Sequence, residues 1–264
     1  MTFLKLSRPN LDKLATALLT RRLSPPFLIS SILNYVPVNL SQEIVDELNR
    51  LNSQGVDCKH IAYTLRLLAQ EKDNSQRIRD RINLVWTGPE ITGSRSRDTG
   101  VVVRELFSKA KKSVLISSFA IDKGEKAQRL FEVLAQRMEV NPELDVQMFL
   151  NIKRPHQSKV AESILLREFA DTFRHDIWSG KRLPKLFYDT RSLALDTKQK
   201  SCLHAKCIAV DEAQVLVTSA NFTQAAHERN IEAGVLLNDT SIAQALRLQF
   251  DALVSQKILR PILI

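Results

Sequence analysis

Apolar residues recur at helical spacing along the first eighty positions. Leu11, Leu14, Ala15, Leu18 and Leu19 fall three to four apart until Ser24-Pro25-Pro26 halts the run. A second helix is expected after Ser41, a residue type suited to capping. It turns Ile44, Val45, Leu48 and Leu51 inward, and Gly55 ends it. Ile61, Leu65, Leu68 and Ala69 form the next stripe. No β-rich segment interrupts this region, so residues 1–80 are expected to form an all-helical N-terminal domain.

From residue 81 the texture changes to an alternation of short apolar runs and amphipathic stretches. Asn83-Leu84-Val85-Trp86 reads as a strand entering the loop Thr87-Gly88-Pro89. Val103, Leu106, Phe107 and Ala110 mark a helix, and Ser113 to Phe119 a buried strand. Ala127, Leu130, Phe131, Leu134 and Met138 give another helix, followed by a strand from Asp145 to Leu150. Residues 160–173 read as helical and 186–189 as extended. Strands are then expected over 203–210, from Gln214 to Thr218 and from Ile231 to Leu237, before a last helix capped by Asp239 or Ser241. This alternation predicts an α/β fold, an α-β-α sandwich around a mixed sheet spanning 81–264.

Composition adds a partner class. The chain carries 38 Lys and Arg against 29 Asp and Glu, a net charge of +9, which favours nucleic acid first and an anionic lipid surface second. A well-solvated basic face is the plainer reading of the same number. The apolar runs are far shorter than the roughly 20 residues that span a bilayer. Lys5, Arg8, Asp12 and Lys13 break up the N-terminus where a signal peptide would be unbroken, so a cytoplasmic placement with no membrane association is expected. The three cysteines, Cys58, Cys202 and Cys207, are odd in number and fit a reducing compartment.

The chemistry concentrates between 204 and 232. Residues two apart on a strand share a face, which pairs His204 with Lys206. An imidazole beside a fixed cation suits attack on a phosphodiester, the lysine offsetting the charge that develops. Ser219 and Asn221 follow the next strand, where hydroxyl, amide and backbone N–H groups can bind phosphate oxygens. Glu232 opens the third strand, and its carboxylate could hold the imidazole tautomer. Each residue also has a plain reading. His204 could be a core histidine bonded to Glu232, Ser219 a helix cap and Asn221 a turn residue, but a buried Lys–His pair is costly without an anion. A zinc site on Cys202, His204 and Cys207 lacks a second ligand pair, and a serine hydrolase on Ser219 lacks the G-x-S-x-G elbow, so neither metal nor cofactor is expected.

The run His204-x-Lys206-x4-Asp211, then Thr218-Ser219-x-Asn221, then Asn230-x-Glu232 resembles the HKD motif of the phospholipase D superfamily. The family pattern has glycine where this chain has Thr218. The likeness extends over about 81–264, and the helical N-terminus followed by one such domain resembles the phospholipase D-like components of bacterial DISARM antiphage systems. The resemblance implies a metal-independent phosphodiesterase, a nuclease in antiphage defence acting on DNA in preference to RNA. His204 would be the nucleophile forming a phosphohistidine. Lys206 and Asn221 would hold the non-bridging oxygens, Ser219 would assist them, and Glu232 would orient His204. Asp211 belongs to the same motif set, with a structural part. The family mechanism uses two histidines, yet only one motif is present and the catalytic segment is not repeated, so a C2 homodimer would complete the site. Candidate substrate contacts are Arg95 and Arg97 in the Gly93-Ser94 loop, and Lys153 and Arg154 at the start of a basic stretch. The alternatives are a phospholipid phosphodiesterase or transphosphatidylase, and a nucleic-acid-binding scaffold of a defence complex with little catalysis. In either defence reading the N-terminal helices would dock other subunits.

Overall fold

The computed structural model describes residues 2–89, 92–196 and 201–263. The chain divides into two compact units, Met1–Asp80 and Arg81–Ile264. The first contains α1 (Arg8–Leu19), α2 (Ile29–Ile32), α3 (Ser41–Ser53) and α4 (Cys58–Asp80). Leu11, Leu14 and Leu18 of α1 share one buried cluster with Ile44 and Leu48 of α3 and Ile61 and Leu65 of α4, which explains the helical spacing of the sequence. Ser7 caps α1, its side chain accepting from the Asn10 N–H. Ser41 does not cap α3. It is the first helical residue, and its hydroxyl donates to the Val38 carbonyl at 2.7 Å. The 3₁₀ turn Val38–Leu40 already carries the chain into helical conformation, so no extended capping residue precedes the helix.

The second unit runs β1 (Ile82–Thr87), β2 (Arg97–Asp98), α5 (Thr99–Lys109), β3 (Ser113–Ser118), α6 (Glu125–Val140), β4 (Asp145–Leu150), α7 (Glu162–Thr172), β5 (Lys185–Asp189), β6 (Cys207–Val210), β7 (Gln214–Thr218), α8 (Gln224–Glu228), β8 (Glu232–Leu237), α9 (Thr240–Ser255) and β9 (Leu259–Ile262). Among the described residues, nine strands form one mixed sheet in the order β2-β1-β8-β7-β6-β3-β4-β5-β9. Alternation along the strands sorts their side chains to two faces. Val114 and Ile116 of β3 pack with Val103, Phe107, Phe131 and Leu134 of α5 and α6. Leu115 points the other way and joins Ala243 and Phe250 of α9. The result is an α-β-α sandwich. Asp239 caps α9 by accepting from the Ser241 and Ile242 N–H groups. The strand expected over 203–210 is shorter, because its first half leaves the sheet before the ladder begins at Cys207.

Candidate active site

Sheet topology gathers residues that are far apart in sequence. β3 pairs antiparallel with β6 and parallel with β4, and β7 pairs antiparallel with both β6 and β8. The C-terminal ends of β3, β4 and β7 therefore lie beside the N-terminal ends of β6 and β8. Phe119 follows β3, Asn151 and Lys153 follow β4, His204 and Lys206 precede β6, Ser219 and Asn221 follow β7, and Glu232 opens β8. All eight are at the same end of the sheet.

Hydrogen bonds from a side chain and from the backbone fix this end. Ser117 donates its hydroxyl to the Ala205 carbonyl at 2.9 Å, and the Thr218 N–H donates to the Lys206 carbonyl at 3.1 Å. They hold the His204–Lys206 run at the sheet end. His204 is exposed and Lys206 half-buried. The Lys206 Nζ lies 3.1 Å from His204 Nδ1 and 3.0 Å from its carbonyl. The same Nζ is 3.4 Å from Nε2, so the ammonium approaches both ring nitrogens of His204. Burial pushes the Lys206 ammonium below its ordinary pKa, and the nearby Glu232 carboxylate opposes that shift. Phe119 packs its ring against the imidazole, with centroids 4.7 Å apart. The Lys153 Nζ sits 4.6 Å from the centre of the same ring and the Lys206 Nζ 5.7 Å.

Asn221 is oriented through its neighbours. Its Oδ1 accepts from the Ala120 N–H at 3.2 Å, leaving the Nδ2 hydrogens to donate. The Phe222 N–H donates to Ser118 Oγ at 3.2 Å, tying the β7–α8 loop to the end of β3. His227 on α8 supports the same loop. It is buried, bonds through its ring to the Asn221 backbone, and packs its ring tilted against Phe222, with centroids 5.5 Å apart. Its Nδ1 has no partner among the described residues. Burial holds the His227 pKa below its ordinary value.

Several expected roles fall differently. Glu232 does not reach the imidazole. It accepts from the Ser219 hydroxyl and from Asn230 Nδ2, while Ser219 Oγ accepts from the Ala233 N–H at 3.1 Å. Glu232 and Ser219 thus form a unit that supports Lys206 electrostatically. Asp211, at the opposite end of β6, accepts from the backbone N–H groups of Lys111, Lys112 and Ser113 at 2.7–3.1 Å, in a left-handed backbone conformation with φ 52°. It anchors the start of β3 and is remote from His204. Arg154 is not free to meet a substrate. It is buried, and its guanidinium donates to the carbonyls of Leu193, Ser158 and Val160. Arg97 pairs with Glu105 at 2.8 Å on the outer strand β2, with β1, β8 and β7 between it and β6. Arg95 is exposed on the loop before β2. Lys153 alone of the four basic candidates reaches the motif residues, through Phe119. Cys207 is buried on the α9 face, where burial pushes its thiol up to about 12, while Cys202 is exposed.

Thr218 occupies the position where the family resemblance has glycine, and its partner strand explains how its bulk fits. Thr218 pairs with Gly234 across β7 and β8. A Cβ on Gly234 would lie 2.9 Å from Thr218 Cβ and 2.9 Å from the Val217 carbonyl oxygen. The space taken up at 218 is left open at 234.

The family model described as "Cardiolipin synthase, PLD-like domain" matches residues 103–254, more than half of the chain. The chain is 24% identical over 196 residues to the DISARM protein DrmC of Bacillus paralicheniformis, spanning 74% of this chain and 71% of that protein. Among solved structures it is similar to Nuc, a phospholipase D family member from Salmonella typhimurium, with 18% identity, a TM-score of 0.42, and coverage of 68% of this chain and 96% of that one. It is also similar to phosphatidylserine synthase of Haemophilus influenzae Rd KW20, with 15% identity, a TM-score of 0.49, and coverage of 72% and 43%. The matched segment contains strands β3 to β8 and the whole His204–Glu232 run, and the chain belongs to the family of PLD-like domains.

Proposed function

We propose that the protein is a phosphodiesterase of nucleic acid, DNA ahead of RNA, working through a covalent phosphohistidine at His204. The observation that carries this reading is the shared sheet end, where an exposed imidazole, a half-buried ammonium and an oriented carboxamide stand together in a PLD-like domain. An unprotonated nitrogen of His204 attacks phosphorus, and the ester oxygen leaves with a proton from a second imidazolium. Water, giving its proton back to that second imidazole, then attacks the phosphorus, breaks the P–N bond and frees His204. Lys206 and the Asn221 Nδ2 hydrogens stabilise the non-bridging oxygens as charge builds on them. The fixed positive charge comes from side chains, so the reaction is proposed to run without a metal ion.

The second imidazole is proposed to be His204 of another copy in a C2 dimer. One face of the sheet supports this. Leu84, Val235 and Val217 align across β1, β8 and β7, and they are 50%, 37% and 50% exposed. Ile82 and Ile231 extend the apolar patch at 52% and 69% exposure. An uncovered apolar sheet face beside a half-site suits a self-complementary interface. Val217→Asp is expected to yield monomers in sedimentation and to lose activity together with dimerisation.

The net charge of +9 favours a polyanionic substrate. No helix among the described residues is long and apolar enough to cross a membrane. Similarity to a DISARM protein supports a place in antiphage defence, with the α1–α4 unit as the surface for other subunits. The test is cleavage of single- and double-stranded oligonucleotides in EDTA. Wild type is expected to cut and His204→Ala to be inactive. Equal cleavage by both proteins, or turnover of phosphatidyl lipids with none of nucleic acid, would overturn the reading.

A further inference from the structure

Phe119 is shared between the motif residues and a cavity that none of the proposed chemical steps uses. The cavity has a volume of about 480 Å³, within the range of small-molecule sites, and opens next to the ring that packs on His204. Its walls are apolar and aromatic: Phe119, Ile121, Leu165 and Phe169. Lys123 and Lys153 are among the residues lining it, and Lys153 already lies over the Phe119 ring.

We propose that this cavity is a base-binding subsite, which takes the nucleobase of a nucleotide adjoining the scissile phosphate in a single-stranded segment. The inference rests on the nucleic-acid reading above and deepens it. A phosphate held by His204 and Lys206 has Phe119 beside it, because that ring packs on the imidazole at 4.7 Å and lies 5.7 Å from the Lys206 ammonium, so an ester substituent directed to that side passes the ring. What it meets there is an aromatic wall with lysines beside it. Bases stack on aromatic faces whatever their identity, and the phosphates on either side of a base attract cations. The polar inventory also favours a heterocycle over an acyl chain. Asn151 lines the cavity, and its Oδ1 is buried without a partner among the described residues, in a protein interior where such acceptors are normally paired. An exocyclic amino group can answer that acceptor once the Asn151 amide turns toward the cavity, and a hydrocarbon tail cannot. Glu168 and Thr172 add further polar groups to the lining.

The experiment uses the full chain and a single-stranded oligonucleotide in which one abasic residue is moved through every position. For wild type, one position beside the cut is expected to lower kcat/KM on the order of tenfold, the scale of one base–aromatic stack. Phe169→Ala is expected to show a similar loss on the intact strand and no further loss on the abasic one. Phe169 is half-buried, so Phe169→Leu, which keeps apolar bulk without a ring, and Phe169→Tyr, which keeps the ring, separate stacking from packing. Leu is expected to behave as Ala, and Tyr as wild type. Independent, additive losses from the abasic residue and Phe169→Ala would overturn the subsite while leaving nuclease function intact. So would an abasic scan with no sensitive position. If phosphatidylglycerol vesicles are hydrolysed in a Phe169-dependent way while oligonucleotide cleavage ignores Phe169, the cavity holds an acyl chain. Failure of wild type to cleave any oligonucleotide would remove the nucleic-acid reading itself, and the subsite with it.

Discussion

Replacing Gly234 by alanine tests how the β7–β8 pair holds the site. The added methyl would meet Thr218 Cβ at 2.9 Å, the Val217 carbonyl oxygen at 2.9 Å and Thr218 Oγ1 at 3.0 Å. A side-chain hydroxyl can rotate away, but a Cβ and a ladder carbonyl move only if the strands part. Overpacking of this kind costs about 1–3 kcal/mol. The strain falls where β7 passes into the site, because the Ser219 N–H donates to the Ala233 carbonyl at 3.0 Å and Ser219 Oγ bonds Glu232. Gly234→Ala is therefore expected to lower both stability and turnover. The two tryptophans, Trp86 and Trp178, both lie in the α/β unit, so their fluorescence reports its urea unfolding without signal from the helical unit. The midpoint is expected to fall by roughly 0.5–1.5 M for an m-value of about 2 kcal/mol/M. Thr218→Gly in the same chain removes two of the three close contacts and should restore part of the loss, the Val217 carbonyl contact remaining. A Gly234→Ala protein with wild-type midpoint and turnover would refute the steric argument.

Other consequences follow from single contacts. Asp211→Ala strands the backbone donors of Lys111, Lys112 and Ser113, and urea unfolding should show a loss of about 1–3 kcal/mol while turnover per folded molecule is unchanged. Lys206→Gln removes the cation beside the reacting imidazole, and kcat should drop on the order of 10²–10³-fold in a steady-state assay with unfolding unaltered. His227 has its pKa depressed by burial, so the unfolded chain takes up the proton first as pH falls. Its contribution to stability is complete above the unfolded value of about 6.5 and declines as pH drops from there toward the lower folded value. Urea midpoints measured from pH 7.5 to 5 should fall more for wild type than for His227→Leu, and parallel curves would refute the assignment.

The elements that were legible in the chain are those whose signal is local. The stripes of α1, α3 and α4, the strands β3 and β4, and the order of residues from His204 to Glu232 all follow from spacing along a single segment. What was hidden depends on partners distant in sequence. The first half of the 203–210 run reads as strand by its apolar alternation, yet Ser117 captures the Ala205 carbonyl and the run leaves the ladder. Arg154 and Lys153 are adjacent basic residues with the same sequence appearance. One is enclosed by three carbonyls and the other reaches over Phe119. Glu232 was expected beside His204 because it opens the next strand but one, and the β7–β8 pairing gives it to Ser219 instead. Phe119, His227 and Gly234 carried no motif signal. Their roles arise only when the ends of β3, β7 and β8 come together.

The covalent intermediate gives the most direct measurement of the account. Rapid acid-free quenching during turnover of a 5′- or 3′-labelled oligonucleotide, followed by peptide mapping, should place an acid-labile phosphoramidate on His204 in wild type and leave none in His204→Ala. Label on a different residue, or steady turnover with no adduct at any time point, would contradict the assignment of His204 as the nucleophile.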